Sequence, residues 1–376
     1  MPLKTVSGKH ADPRKGRGAG INPEGRFENV AREAFDDGWN TPPDDDLPPL
    51  KTHVTVERVA SIIAHNESPD VPFTQSINPY AGCEHGCSYC YSRPSHAYRN
   101  LSPGIDFETR LFAKVNAAET LREELSRPGY RCEVISIGAN TDPYQPIERQ
   151  YKITRGILEV CAEFNQPFGI VTKNAMVERD LDILAPMAKK NLANVFISVN
   201  NLDHDLARRL EPRCSAPARR LQAMKTLSDA GVPVGVLCAP VIPFLTDHQI
   251  EAVLEAAWRN GARQAGYVLM RLPWEVKDLF KDWLERHYPL KAKHVMSRVH
   301  AMRGGRDNDP NFGSRMRGSG ELAALLAQRF KKACQRLGFN AEARNRTLDT
   351  TRFRRPERSG QMSLFDDEER TTRNEE

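Results

Sequence analysis

Five short apolar runs, at residues 134–139, 168–172, 195–199, 232–238 and 267–272, alternate with stretches of helical period at 154–165, 178–190, 218–230 and 247–260. Runs this short and apolar suit strands buried on both faces, and strands separated by helices pair in parallel. Gly231 and Gly261 follow two of the helical stretches, where a left-handed C-terminal cap is wanted. Counting one more strand just before Cys83, six βα units emerge, which make an open or partial barrel rather than a closed eight-stranded one. The expected fold class is therefore α/β, a partial (βα)6 barrel.

A chain of 376 residues, 39% of them hydrophobic, can hold one such domain with extensions at both ends. Residues 1–52 are basic and rich in Pro and Gly, include Pro42-Pro43 and Pro48-Pro49, and are expected to be disordered. Residues 53–290 form the expected core. Residues 291–340 form a basic segment with a helix, 320–337, capping the barrel exterior, and 341–376 read as a disordered tail. No run of eighteen apolar residues is present, and the polar N-terminus lacks the apolar stretch of a secretory signal, so a cytoplasmic location is expected.

Three of the eight cysteines fall within eight residues: Cys83-Glu-His-Gly-Cys87-Ser-Tyr-Cys90, followed by Tyr91. The other five, Cys132, Cys161, Cys214, Cys238 and Cys334, are scattered, which is no disulfide framework and suits a reducing compartment. A tetrahedral zinc site or a fully ligated four-iron cluster takes four protein ligands. Three thiolates in one loop therefore suggest a [4Fe-4S] cluster with one iron left open for a small molecule. The alternatives are zinc with His85 or His96 as fourth ligand, and buried structural cysteines.

This segment resembles the cluster loop of radical S-adenosylmethionine (SAM) enzymes. With its flanks, Asn78-Pro-Tyr-Ala-Gly82 and Ser92-Arg-Pro-Ser-His96, the turn Asn140-Thr-Asp-Pro-Tyr-Gln-Pro146, and Arg303-Gly-Gly-Arg-Asp-Asn-Asp309, it is similar to the spore photoproduct lyase-like, or DNA repair photolyase-like, group over about residues 55–340. The resemblance implies a radical SAM barrel in which Cys83, Cys87 and Cys90 bind the cluster and SAM chelates the open iron. Electron transfer then cleaves SAM to a 5'-deoxyadenosyl radical. Ligands of parallel βα folds bind at the C-terminal ends of strands. Tyr91, Asn140 and Asp142 are thus expected near SAM, Lys173 at its methionyl carboxylate, and Ser198 and Asn200 at its ribose; each residue also has a reading as ordinary turn chemistry. In the photoproduct lyase group a cysteine at the end of the second strand returns a hydrogen atom. Here the matching turn carries Asn140, which has no S–H, and Cys132, at the start of that strand, is the remaining candidate donor.

The net charge of +5 is unevenly spread: 17 Lys or Arg stand against 6 Asp or Glu between Lys291 and Arg358. That excess points to a polyanion such as DNA, or simply to a solvated basic segment. Gln361-Met-Ser-Leu364-Phe365 resembles the peptide with which bacterial polymerases and repair proteins dock on the sliding clamp, Gln361 bonding the pocket edge and Leu364 and Phe365 filling an apolar cleft. The leading functional expectation is a radical SAM enzyme acting on nucleic acid, in repair or modification. The alternatives are radical SAM modification of a protein or small metabolite, and a non-catalytic iron-sulfur or zinc module that binds DNA.

Overall fold

The computed structural model describes residues 16–27, 50–341 and 347–356. Its ten strands are β1 (His53–Glu57), β2 (Ala64–His65), β3 (Gln75–Ile77), β4 (Tyr80–Ala81), β5 (Arg110–Lys114), β6 (Ile135–Ile137), β7 (Phe168–Thr172), β8 (Ala193–Ser198), β9 (Val234–Val241) and β10 (Gln264–Leu269). The main sheet runs β10-β9-β8-β7-β6-β3-β2. Six of these strands, β3 and β6 to β10, are parallel to their neighbours, and β2 adds an antiparallel edge. This is the partial (βα)6 barrel. A second sheet, β1-β5-β4, flanks the segment that follows β3.

Parallel pairing buries both faces, and the strand interiors are aliphatic accordingly: Ile135, Ile137, Ile170, Val195, Ile197 and Val236 are fully buried. Between the later strands lie helices Ile153–Glu163, Leu181–Lys189, Pro217–Asp229 and Ile250–Arg259. Gly231 and Gly261 take φ of +81° and +92° directly after two of them, the backbone that a residue with a Cβ rarely adopts. β10 begins three residues before the apolar run that announces it. Its start, Gln264 and Ala265, pairs with Gly235 and Val236 of β9, and Asn340 satisfies the outer edge by bonding both the N–H and the C=O of Ala265 (2.9 and 3.0 Å).

The open side of the barrel is bridged by the glycine- and arginine-rich segment 303–318. Buried Arg303 donates to the carbonyls of Leu269 and Met270 at the end of β10 (3.2 and 2.7 Å). Arg315 pairs with Asp70, in the connection between β2 and β3, so both sheet edges are held. Helix Gly320–Leu337 then packs on Ile250–Arg259 through Arg329–Glu251 and Arg336–Glu255, and on β10 through Phe330 against Tyr267. Several cations of the basic segment are therefore already paired within the fold.

Two stretches inside the expected disordered extensions are packed. Residues 16–20 lie against the cluster loop, and 347–356 return to the start of the strands, where Phe353 meets Tyr130 and Phe164 and Asp349 bonds the carbonyl of Asn191. Composition alone reads both as solvent-exposed; backbone hydrogen bonds to a preformed surface order them. Among the described residues no helix is long and apolar enough to cross a membrane.

Candidate cluster and cofactor site

The Cys83–Cys90 loop leaves the C-terminal end of β3 and β4 and is clamped from two sides. On one side the Cys83 N–H donates to the carbonyl of Phe107 (2.9 Å). Fully buried Arg93 curls back to the Cys87 carbonyl (3.0 and 2.9 Å) and pairs with fully buried Glu108. The same Glu108 carboxylate accepts from the N–H groups of Gly18 and Ala19 (3.0 and 2.8 Å), which straps the N-terminal segment across the loop. Gly18 and Gly86 touch so closely that a Cβ on Gly18 would sit 1.8 Å from the Gly86 carbonyl oxygen. Gly86 itself has φ of +66°, and a Cβ there would meet the Glu108 carboxylate at 2.6 Å. Glycine is required at both positions by approach, and at Gly86 by conformation as well.

On the other side Ser88 donates to the carbonyl of Leu210 (3.0 Å), and Arg213 donates to that of His85 (3.3 Å). Cys87 and Tyr89 belong to a second apolar cluster with Leu206, Leu210, Phe280 and Trp283, so the C-terminal helices pack under the loop. Cys83 and Cys87 are buried, and Cys90 is half-buried next to Tyr91, whose ring is 51% exposed and whose hydroxyl donates to the Ala139 carbonyl. All three cysteines are free thiols.

Of the two histidines weighed as zinc ligands, His96 is engaged elsewhere and His85 pairs with Asp142 beside Cys83. His96 sits against Phe107 with Nε2 on the Arg110 carbonyl (2.9 Å), and burial pushes its imidazole down to about 4. His85 lies 3.3 Å from Asp142 and 3.3 Å from Asn174. Burial opposes its charge, but Asp142 and Cys83 outweigh that and raise it to about 10. Among the described residues no three His, Cys, Asp or Glu side chains converge as ligands of a single ion, whereas a four-iron cube meets each thiolate at a different corner.

The strand-end residues divide into anchors and free heads. Asp142 accepts from the N–H of Tyr144 and the hydroxyl of Thr172 on one oxygen (2.9 and 2.7 Å), and from the N–H of Lys173 (2.7 Å) and from His85 on the other. Four contacts fill its lone pairs. Burial works against its charge, yet His85 and Lys173 hold it at about 2. Asp142 thus joins the cysteine loop to β7. Asn140 is tied by its backbone to Asn78 (2.8 Å), with its amide 3.4 Å from Ser95, at the rim beside the cluster loop. The Lys173 ammonium is raised well above its ordinary pKa: burial opposes, but Cys87, Glu211, Cys214 and Asp142 surround it with negative charge. Ser198 ends the next strand and Asn200 follows it, both buried; the Asn200 amide is 3.4 Å from the Tyr89 hydroxyl, and Arg220 holds the Ser198 carbonyl (2.9 Å).

Cys132 is not brought to this site. It precedes β6 at the opposite mouth, its thiol 3.6 Å from Gln166, lining a cleft of about 460 Å³ with Phe73, Val134 and Thr350. An extended chain rises ~3.3 Å per residue, which puts Cys132 on the order of 20 Å from the Gly138 end of its strand. Three residues that the sequence reading leaves out do enter. Cys214, one of the scattered cysteines, has its sulfur 3.8 Å from that of Cys87. Glu211 is buried between Arg220 and the Tyr89 hydroxyl, and Arg220 and Lys173 hold its carboxyl below its ordinary range although burial opposes. No local spacing links these three to the cysteine motif.

Residues 77–257 match the radical SAM superfamily model. A Mycobacterium tuberculosis protein described as uncharacterized is 35% identical over 244 residues, covering 63% of this chain and 71% of that one. The chain belongs to the radical SAM superfamily. An uncharacterized protein of Methanocaldococcus jannaschii is 27% identical over 213 residues, 57% of this chain and 76% of its own. Among solved structures, spore photoproduct lyase complexed with dinucleoside spore photoproduct superposes with a TM-score of 0.55 at 16% identity, over 76% of this chain and 80% of that chain, a likeness of fold. Radical SAM membership implies an iron-sulfur cluster and SAM, and the three free thiols of the pinned loop are soft donors of the kind such a cluster takes.

Proposed function

We propose that this radical SAM enzyme holds a [4Fe-4S] cluster on Cys83, Cys87 and Cys90 and acts on nucleic acid, in repair or modification. The observation that carries the cluster assignment is the three-thiol loop fixed at the C-terminal end of β3, with Lys173, Asn140 and Asn200 at neighbouring strand ends. When bound, cluster and SAM supply the 5'-deoxyadenosyl radical. The chain's own work is positioning. Asp142 links the cluster loop, through His85, to β7, and so fixes the Lys173 backbone, whose ammonium would hold the methionyl carboxylate of SAM. Asn140 and Tyr91 stand beside the cysteine loop, and Ser198 and Asn200 would meet the ribose. Arg93, Glu108 and residues 16–20 cover the back of the loop and keep water from it.

The two candidate positions do not support thymine dimer reversal with the cysteine donor of the photoproduct lyase group. Asn140 stands at the matching turn, and Cys132 is at the wrong mouth. Nucleic acid as substrate rests on the group the motifs resemble and on the basic C-terminal segment. The internal pairing of Arg303, Arg315, Arg329 and Arg336 favours the second reading, a protein or small-metabolite substrate. Anaerobic reconstitution with reductant and SAM tests both: 5'-deoxyadenosine must form, more of it with DNA than without, and deuterium from labelled DNA must appear in it. No deoxyadenosine at all would leave the non-catalytic module. Gln361, Leu364 and Phe365 lie outside the described residues; we retain them as a sliding-clamp contact, for which a peptide of residues 356–370 should bind the clamp and lose affinity with Phe365→Ala.

A further inference from the structure

Two bulky aromatic residues on adjacent strand-end loops have backbones that such residues rarely adopt. Phe244, just after β9, has φ of +67°, and Trp274, just after β10, has φ of +47°. Left-handed backbone is unfavourable for residues of this size, and where it persists it tends to serve a site. Nothing in the core requires these rings, because they are 46% and 59% exposed. Each has a cation near its ring: the Arg26 guanidinium lies 4.1 Å from the Trp274 centroid, and the Lys291 ammonium 5.8 Å from that of Phe244. Arg26 is fixed in that place by an ion pair with Glu275 (3.0 Å).

Beside Phe244 runs a basic stripe. On helix Pro289–Ala301, exposed Lys291, His294 and Arg298 fall at i, i+3 and i+7 and share one face. His294 meets the Phe244 ring edge-on at 4.2 Å, and Arg298 lies 3.5 Å from His294. None of the three appears among the ion pairs of the described residues, unlike Arg329 and Arg336 farther along the chain. Exposed rings that accept a base on a π-face, next to cations that follow a backbone, are the two parts of a single-strand binding surface.

We propose that Phe244 and Trp274 form a stacking platform at the barrel mouth for unpaired bases of a single-stranded nucleic acid, whose phosphates run along the Lys291–His294–Arg298 face. This deepens the nucleic-acid reading above and rests on it. A duplex, whose bases are already stacked on each other, offers the rings nothing to hold. The platform stands on the loops after β9 and β10, at the same end of the barrel as the cysteine loop, so a base held there is delivered toward the radical site.

The test is fluorescence anisotropy of a labelled 20-nucleotide single strand, and of its duplex, with full-length reconstituted protein across a salt series. The single strand should bind more tightly than the duplex. Phe244→Leu and Trp274→Leu should each weaken it roughly tenfold, as expected for one stacked base, while Phe244→Trp keeps the affinity. Lys291→Gln with Arg298→Gln should flatten the slope of log affinity against log salt by about 0.7 per charge removed. Melting temperatures show that the variants are folded. Wild-type binding that the two leucine variants leave within twofold overturns the platform and spares the nucleic-acid reading, as does tighter binding of the duplex. A wild type that binds neither strand form at low salt removes the nucleic-acid reading itself, and the platform with it.

Discussion

The two mouths of the barrel are built from different chemistry. At the cysteine end, charged groups are buried in pairs: Arg93 with Glu108, Arg220 with Glu211, and His85 with Asp142. At the other end, around Cys132, uncharged groups make the buried links, with the Glu133 carboxylate exposed: the Tyr130 hydroxyl donates to Gln166 (2.9 Å), the Gln166 amide to the Glu133 carbonyl (2.7 Å), and Phe353 packs over Tyr130. Buried ion pairs are poor stabilisers compared with apolar packing, since desolvation offsets much of their attraction. A fold has no need of three such pairs around one loop for stability alone. What they provide is a loop with one geometry and a local field. The difference between the ends fits the proposal that chemistry is done at the cysteine end.

The largest test of that asymmetry is loss of a thiol. Cys87→Ala should abolish 5'-deoxyadenosine formation after reconstitution and lower bound iron and sulfide to background, because two thiolates cannot hold the cube. Cluster content equal to wild type would break the assignment. Next is the buried pair under the loop. Glu211→Gln leaves Arg220 uncompensated in a site where both side chains are about 1% exposed, and should cost roughly 3–5 kcal/mol of stability, read from the urea midpoint. Adding Arg220→Met should recover much of it. If the double variant is no better than the single one, the pair is not the source of the cost.

How these features read in the sequence follows from how local they are. Strands β6 to β10 were legible because each overlaps a short, largely apolar run, and the cysteine loop because its three thiols lie within eight residues. The pairs around it were not. Cys87 and Cys214 are 127 residues apart, and Gly18 and Glu108 are 90 apart, so no spacing rule joins them. Residues 16–20 read as disordered because Gly and Arg dominate; the reason for the glycine, contact with Gly86, exists only once the loop has folded. Asp142 was legible as a polar strand-end residue, but its partners were not, since only the fold brings His85, Thr172 and the Lys173 N–H to its carboxylate.

A smaller effect probes the strap. Gly18→Ala places a methyl group 1.8 Å from a backbone oxygen that cannot swing away, so the strap must lift from the loop. The fold should survive, since residues 16–20 lie outside the barrel. Release of iron to a chelator from the reconstituted protein should become several-fold faster, and trypsin should cut after Arg17 sooner. Unchanged iron release would mean that the strap covers the loop without protecting it.

The smallest expected effect comes from the neutral mouth. Cys132 is half-buried, its thiol is raised to about 11 by burial and the nearby Glu133, and a hydrogen atom would have to cross on the order of 20 Å from there to the strand ends. Cys132→Ala should therefore leave deoxyadenosine formation and any product within about twofold of wild type, with at most a slight loss of stability from the vacated cleft. A product that disappears in this variant while SAM cleavage persists would mean that substrate enters from the cleft between Phe73 and Thr350, and the contrast between the two mouths would then describe two halves of one active site.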